Sequence, residues 1–338
     1  MVSKWYHGRI KAILGSGGSR TRESSNGYIF ANCFQSRKVL LNKIIDRQME
    51  MNDLDKTLKR LSDIRIVKPS QEDLQLAHKH YIKWQMENPS NFSYWFPKVA
   101  PHLEEKGIRS PKSKVIPVPE NIMNACFMER KGDYELISEW IRVTVMPELL
   151  GAEFPLFMKN GCFSNKFDFN RSCRLEAYDE EAITKNFVNL QGESLLYDTG
   201  GNMEVVFREF IQPQKGTQTI YNGMPFRPEM RVFYDFDKHS YCYAVNYWDW
   251  DYCHERIAEN AHDKEVYESV YPELKELYEY RKSYFLPRIL SAFRRVELLT
   301  GIWSADFILD EHRAWFIDMA AANRSAYWDE KWAEKGLS

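Results

Sequence analysis

The chain has 338 residues, 44% of them hydrophobic and 28% charged, with a formal net charge of −2. This describes an ordinary globular protein long enough for a well-buried core in two or three units. The near-neutral balance gives no global pull toward nucleic acid or a membrane, and no run of about 18 apolar residues could cross a bilayer.

The opening MVSKWYHGRIKAILG lacks the apolar core of a secretory signal. Six cysteines, at 33, 126, 162, 173, 242 and 253, form no Cys-x-x-Cys pair. Their spacing suits neither a zinc module nor a dense disulfide framework, so a reducing, cytoplasmic setting is expected.

The first 45 residues hold eight Lys or Arg against the single acid Glu23 and include GSGGSRTRESSNG. Such density of glycine and small polar residues predicts a basic, mobile arm over 1–33. GSGG lacks the Gly-Lys-Ser/Thr ending of a triphosphate-binding loop, and a basic surface arm without a ligand is favoured over an anion or nucleic-acid contact. Residues 34–112 read as a mainly helical region with a connector. MNDLDKTLKRLSDI is one amphipathic stretch, and QEDLQLAHKHYIKWQM is another, with Leu74, Leu76, Ala77, His80 and Trp84 near one face. His78 and His80 do not share a helix face and make a poor metal pair. Residues 85–115, rich in Pro, Asn, Ser and Lys, read as the connector.

From residue 113 the pattern mixes strands and helices. VIPVPE predicts a short strand, GDYELISEWIRVTVMPELL a helix capped by Asp133, PLFMKNG a strand, 184–190 a helical segment and MEVVFREFIQP another strand. EMRVFYDFDKHSYCYAVNYWDW reads as a hairpin around the DKH turn. The stretch from DKEVYES to RRVELL reads as helices divided at Pro272 and Pro287. WSADFILDEHRAWFID then supplies two strands joined by DEHR. The sum is α+β.

Several residues can carry chemistry. Lys159 ends a strand and Lys166 lies in the following Gly/Ser/Asn loop, a pairing that offers cations to phosphate but also occurs on plain surface loops. Glu209, Phe210 and Ile211 form an extended edge that could meet a purine or merely complete a sheet. Arg231 suits a phosphate or carboxylate, or equally a salt bridge to Glu229 or Asp235. Asp306 and Asp318 lie twelve residues apart on two predicted strands. Antiparallel pairing can bring the two carboxylates together, and close acids need a divalent ion or a basic partner to stay ionised. Asn323 could add a neutral oxygen ligand.

In their order, VIPVPE, PLFMK, VVFREFI, PEMRVFYDF and WSADFILDEHRAWFID resemble the ATP-grasp superfamily over residues 113–328, most of all its divergent branch of cell-division-cycle 123 type proteins. The resemblance implies an ATP-grasp-like two-lobed α+β fold with an additional mainly helical amino-terminal region. Its lobes would span 113–207 and 208–338, with ATP and Mg²⁺ held between them. It implies that Lys159 and Lys166 reach phosphate and that Glu209, Phe210 and Ile211 meet adenine and ribose. Arg231 would act with Lys159 in catalysis, while Asp306, Asp318 and Asn323 would ligate metal. The implied activity is an ATP-dependent carboxylate-amine ligase working through an acylphosphate on an amino acid, peptide or protein, with no membrane partner. The alternative is an ATP-binding protein assembly factor without ligation. One departure is visible: relatives commonly carry an asparagine two residues beyond the last acid, where this chain has Ala320.

Overall fold

The computed structural model describes residues 71–128, 130–196, 202–257 and 260–330. The expected arm over 1–33 and the helix in MNDLDKTLKRLSDI lie outside them. The chain divides into compact units 1–78 and 79–338. Helix α1 (Gln71–Glu87) runs across that division, and its Leu76, expected on the buried face, is exposed.

The connector expected over 85–115 contains a buried helix, α2 (Phe92–Glu104), despite Pro97 and Pro101 inside it. Composition suggested a linker, but Phe92, Trp95, Val99, Ala100 and Leu103 recur at helical spacing and all are buried. Trp95 packs edge-on against Phe316 with ring centroids 5.4 Å apart. Tertiary burial outweighs the weak local propensity.

Next come β1 (Ser113–Pro117), α3 (Glu120–Met128) and α4 (Asp133–Trp140), which continues through a π-helical turn at Ile141–Val145 and a last turn at Met146–Glu148. Asp133 is not the N-cap; Gly132 holds that place at φ 91°, and Asp133 instead accepts the Arg130 N–H at 2.7 Å. The lobe is completed by β2 (Leu156–Asn160), α5 (Phe169–Ser172), β3 (Arg174–Leu175), α6 (Glu180–Leu196) and β4 (Glu204–Glu209). Its sheet has the order β1-β4-β2-β3, with every pairing antiparallel. Side chains alternate along each strand. Leu156, Met158, Val205 and Phe207 therefore enter one core with Ile137, Ile141, Phe187 and Leu190. The opposite face carries Lys159 paired with Val206, and Phe157 paired with Arg208. The expected lobe division between 207 and 208 falls inside β4.

After the small β5 (Thr219–Ile220) and β6 (Met224–Pro225) pair, a second antiparallel sheet has the order β10-β9-β7-β8. It comprises β7 (Glu229–Asp235), β8 (Ser240–Asn246), β9 (Ile302–Leu309) and β10 (Ala314–Ala321). Helix α7 (Trp250–Ile257) precedes α8 (Ala261–Phe293), one 33-residue helix where breaks at Pro272 and Pro287 were expected. Both prolines sit on its exposed side, where water can satisfy the freed carbonyls, while Tyr271, Leu274, Tyr278, Phe285 and Ile289 bury the other side. One core joins α2 and α8 to Met230, Val232, Ala305, Phe307, Phe316 and Met319 of the second sheet, and reaches Val206 of the first. Among the described residues no helix is long and apolar enough to cross a membrane.

Trp95→Ala tests whether α2 belongs to this core. A fully buried indole removed from a core costs about 3–5 kcal/mol, so the midpoint of guanidinium unfolding should fall sharply with the slope unchanged. A near-wild-type midpoint would mean that 92–104 is the linker its composition suggested.

Candidate functional site

A β-bulge sets the geometry of the site. On β10, Phe316 pairs with Phe307 and Asp318 with Asp306, leaving Ile317 as the extra residue. Strict alternation would place Asp318 on the same side as Phe316, in the core. With the bulge, Phe316 and Met319 both enter the core, and Asp318 joins Asp306 in lining a cleft.

That cleft opens to solvent, and Phe157, Phe169, Phe210, Ile211, Met224 and Ile308 give it apolar walls. Four basic side chains also line it, Lys159, Lys166, Arg208 and Arg227, together with four acids, Glu209, Glu229, Asp306 and Asp318. Seven of the expected site residues thus share one cavity: Lys159, Lys166, Glu209, Phe210, Ile211, Asp306 and Asp318. Arg231 stands behind Asp306, outside the lining. Asn323 is exposed in the 3-10 turn Ala322–Arg324 and also lies outside it.

The ionic partners are specific. Lys159, 1% exposed, reaches from the first sheet to donate to Asp318 Oδ1 at 2.6 Å. The Met319 N–H donates to the same oxygen at 2.9 Å. Arg231 makes a two-pronged pair with Asp306, Nε to Oδ1 and Nη2 to Oδ2, each at 2.7 Å, and gives Nη1 to the Ala326 carbonyl at 3.1 Å. Burial opposes the Arg231 charge, but Asp306 more than offsets it and the guanidinium pKa rises. The salt bridge expected to Glu229 or Asp235 is made to Asp306 instead.

The Lys166 ammonium lies 3.9 Å from the Tyr247 ring centroid and donates to the Tyr247 hydroxyl. Burial works to lower its pKa, yet the tyrosine oxygen and Glu229 outweigh that and raise it. Along the expected purine edge, the Glu209 N–H is donated to the Lys112 carbonyl at 2.8 Å. The Ile211 carbonyl accepts from Arg227 Nη1 at 3.0 Å. Two residues from Lys159, a Cβ added at Gly161 would fall 2.3 Å from Glu204 Oε1 and 2.6 Å from Asn202 Oδ1, so a side chain there would displace those groups.

The donor set does not fit a protein-held Mg²⁺ centre. Both Asp306 oxygens are taken by Arg231, Ala320 has no donor on its side chain, and Asn323 lies apart. Among the described residues no group of three or more His, Cys, Asp or Glu could hold an ion. Both bonds to Asp318 fall on Oδ1, which leaves its Oδ2 to meet an ion that a ligand brings with it.

Three charged lining residues, Arg208, Arg227 and Glu229, were not among the expected site residues. Arg208 could have been found by parity, since it alternates with Phe207 and so leaves the apolar face of VVFRE. Arg227, in the irregular PFRP, and Glu229, read only as a partner for Arg231, carried no periodic signal.

No family model and no curated protein sequence matches the chain. Among solved structures it is similar to Cdc123 from Schizosaccharomyces pombe, at 18% identity over 72% of this chain and 88% of that one, with a TM-score of 0.39. It is also similar to the VanG D-Ala:D-Ser ligase from Enterococcus faecalis, at 12% identity over 74% and 57% and a TM-score of 0.32. The biotin carboxylase domain of 2-oxoglutarate carboxylase from Hydrogenobacter thermophilus matches at 9% identity over 72% and 41%, with a TM-score of 0.34. The chain itself has an α+β layout built on two four-stranded antiparallel sheets.

Glu229 gives the cleft a pH signature. Burial pushes its pKa up to about 7, with Lys166 and Arg227 opposing and Asp306 reinforcing the rise. The unfolded chain therefore loses this proton at lower pH than the folded one. Stability associated with the protonated form is complete below about pH 4.5 and is lost as pH rises to about 7, by up to roughly 3 kcal/mol. Relative to wild type, Glu229→Gln should gain thermal stability progressively between pH 5 and 7.5. Parallel melting-temperature profiles for the two proteins would show that Glu229 titrates normally.

Proposed function

We propose that this protein binds ATP in the cleft between its two sheets and acts as a nucleotide-dependent protein assembly factor, not as a carboxylate-amine ligase. One observation supports this above the others: the acids that would assemble metal for phosphoryl transfer are engaged by the protein's own cations. Arg231 holds both oxygens of Asp306, and Lys159 holds Asp318. Arg231, the residue expected to steady a transferred group, has its guanidinium committed to Asp306 and the Ala326 carbonyl. A ligase needs charge-stabilising groups aimed at the reacting phosphoryl oxygens. Here the cations that face the cavity are better suited to holding a polyanion than to moving a phosphoryl group.

Binding alone can still do work. Lys159 and Arg208 belong to the first sheet, whereas Asp306, Asp318 and Ile317 belong to the second. A ligand that touches both sheets stabilises their mutual position by its binding free energy, on the order of 3–4 kcal/mol at 100 to 1,000 times its Kd. A surface formed from both lobes would thereby be set for a partner protein. Mg²⁺, when carried by the nucleotide, would supply charge neutralisation on the phosphates, with Asp318 a carboxylate placed to meet it.

Isothermal titration with ATP, with and without Mg²⁺, should show binding that Lys159→Ala weakens by about tenfold or more, the loss of one charge-assisted contact. Incubation with ATP and mixtures of amino acids or peptides should release no acceptor-dependent phosphate. Formation of a new amide that depends on both ATP and an acceptor would restore the ligase reading. Absence of ATP binding by the wild-type protein would remove both.

A further inference from the structure

We infer that the hairpin tip Tyr221-Asn222-Gly223 is a latch on the cleft wall, and that Asn222 is a positioning residue that sets this wall through Asp168. Lys166 and Phe169 stand on one side of the latch, Met224 and Pro225 on the other, and all four line the cleft. The coupling of the latch to a ligand rests on the reading of the cleft as a nucleotide site.

The tip is a strained piece of backbone. Strands β5 and β6 pair Ile220 with Met224, which leaves three residues for the turn. All three are left-handed, Tyr221 at φ 52°, Asn222 at 58° and Gly223 at 105°. Glycine and asparagine adopt that region readily, whereas a bulky residue such as tyrosine is an outlier there. Backbone of this kind persists only where its surroundings hold it, and here they do so from the first lobe. The Tyr221 carbonyl accepts the Phe169 N–H at 3.0 Å and the Asn222 carbonyl accepts the Asn170 N–H at 3.1 Å. Phe169 and Asn170 open α5, so neither N–H has a partner within that helix. The Asn222 side chain adds a third bond, Nδ2 to Asp168 Oδ1 at 2.8 Å. Phe167 meets Tyr221 edge to face with ring centroids 5.1 Å apart. Gly223 passes so close that an added Cβ would fall 2.2 Å from Asn170 Nδ2.

The base of the hairpin is anchored on the opposite side. Ile220, Met224 and Phe226 are buried with Trp248 and with Tyr267 and Tyr271 of α8. The hairpin therefore reaches from α8 to α5 past one edge of the cleft. Asn222 is exposed while Ile220 and Met224 beneath it are buried. Lifting the tip breaks polar bonds at the surface and relaxes the left-handed backbone without opening the core, which places this contact among the easily opened parts of the fold. When it lifts, Lys166 and Phe169 lose their fixed distance from Met224 and Pro225. A ligand that touches both sides favours the closed latch, and by linkage the closed latch favours the ligand by the same factor.

Hydrogen exchange of the full chain reads the latch directly. ATP should slow exchange across residues 166–173 by about threefold or more, because the Phe169 and Asn170 amides exchange when the tip lifts. Asn222→Asp keeps a side chain that tolerates left-handed backbone but sets a carboxylate against Asp168. It should speed exchange of the same segment without ligand and weaken ATP binding by roughly threefold or more. Adding Asp168→Asn to that variant recreates a hydrogen-bonding pair and should restore most of the affinity.

A tip with a merely structural role would move the unfolding midpoint of Asn222→Asp and leave its ATP affinity unchanged, which overturns the inference. A double variant as weak as the single one also overturns it, since the loss would then not come from the 168–222 pair. Should Asn222→Asp not fold, the exchange of the wild-type protein with and without ATP decides alone. If wild type binds no ATP, the nucleotide reading fails and the coupling falls with it; if ATP binds while exchange over 166–173 stays the same, only this inference falls.

Discussion

The ion pair between Lys159 and Asp318 is the constraint on which the rest of the site depends. It joins the last turnward residues of β2 to the bulged stretch of β10, so its two ends belong to different sheets. A lysine at 1% exposure is costly to bury without such a partner, so removing the acid would strand it. Asp318 is a third exposed, so the pair is sealed on the lysine side and open toward the cleft. That asymmetry keeps the ammonium in place while leaving its counter-ion within reach of a solute.

The bulge is what makes this pairing compatible with a packed core. Phe316 and Met319 must both face α2 and α8, yet an acid must emerge between them. An unbroken strand offers no solution, since residues 316 and 318 would then share a face. One extra residue solves both problems, and the ladder broken by it presents carbonyls that Arg208 covers. The second sheet also explains why Asp306 can sit opposite Asp318 without a metal: Arg231, on the neighbouring strand β7 and in register with Asp306, neutralises it from behind. The segment after β10 supports that arginine in turn, through the Ala326 carbonyl and through Tyr327, whose hydroxyl donates to the Tyr247 carbonyl at 2.6 Å.

Much of this layout was legible in the sequence where periodicity was strong. The strand pairs around DKH and DEHR, the strand lysine and the two acids follow from alternation and turn residues alone. The misreadings share a cause. Pro97 and Pro101 suggested a connector, and Pro272 and Pro287 suggested helix ends, because proline is a local signal and the compensating burial is not. Asp306 and Asp318 posed an open question, a divalent ion or a basic partner. The partners lie 75 residues away at Arg231 and 159 residues away at Lys159, a distance over which no spacing rule operates. Arg208 was visible by parity but unremarkable until its neighbours were known to be carbonyls and not acids.

The balance of charge in the cleft has a mechanical consequence. Four basic and four acidic side chains line the cavity, and the Lys159–Asp318 pair spans its two sheets. An entering polyanion competes with Asp318 for Lys159 and with the β10 carbonyls for Arg208. It therefore cannot bind without acting on the contacts that span the two sheets. By linkage, a partner protein whose affinity is altered by that anion alters the affinity for the anion by the same factor. Under the proposed reading, cations placed on this joint would couple the bound anion to the relative position of the two sheets.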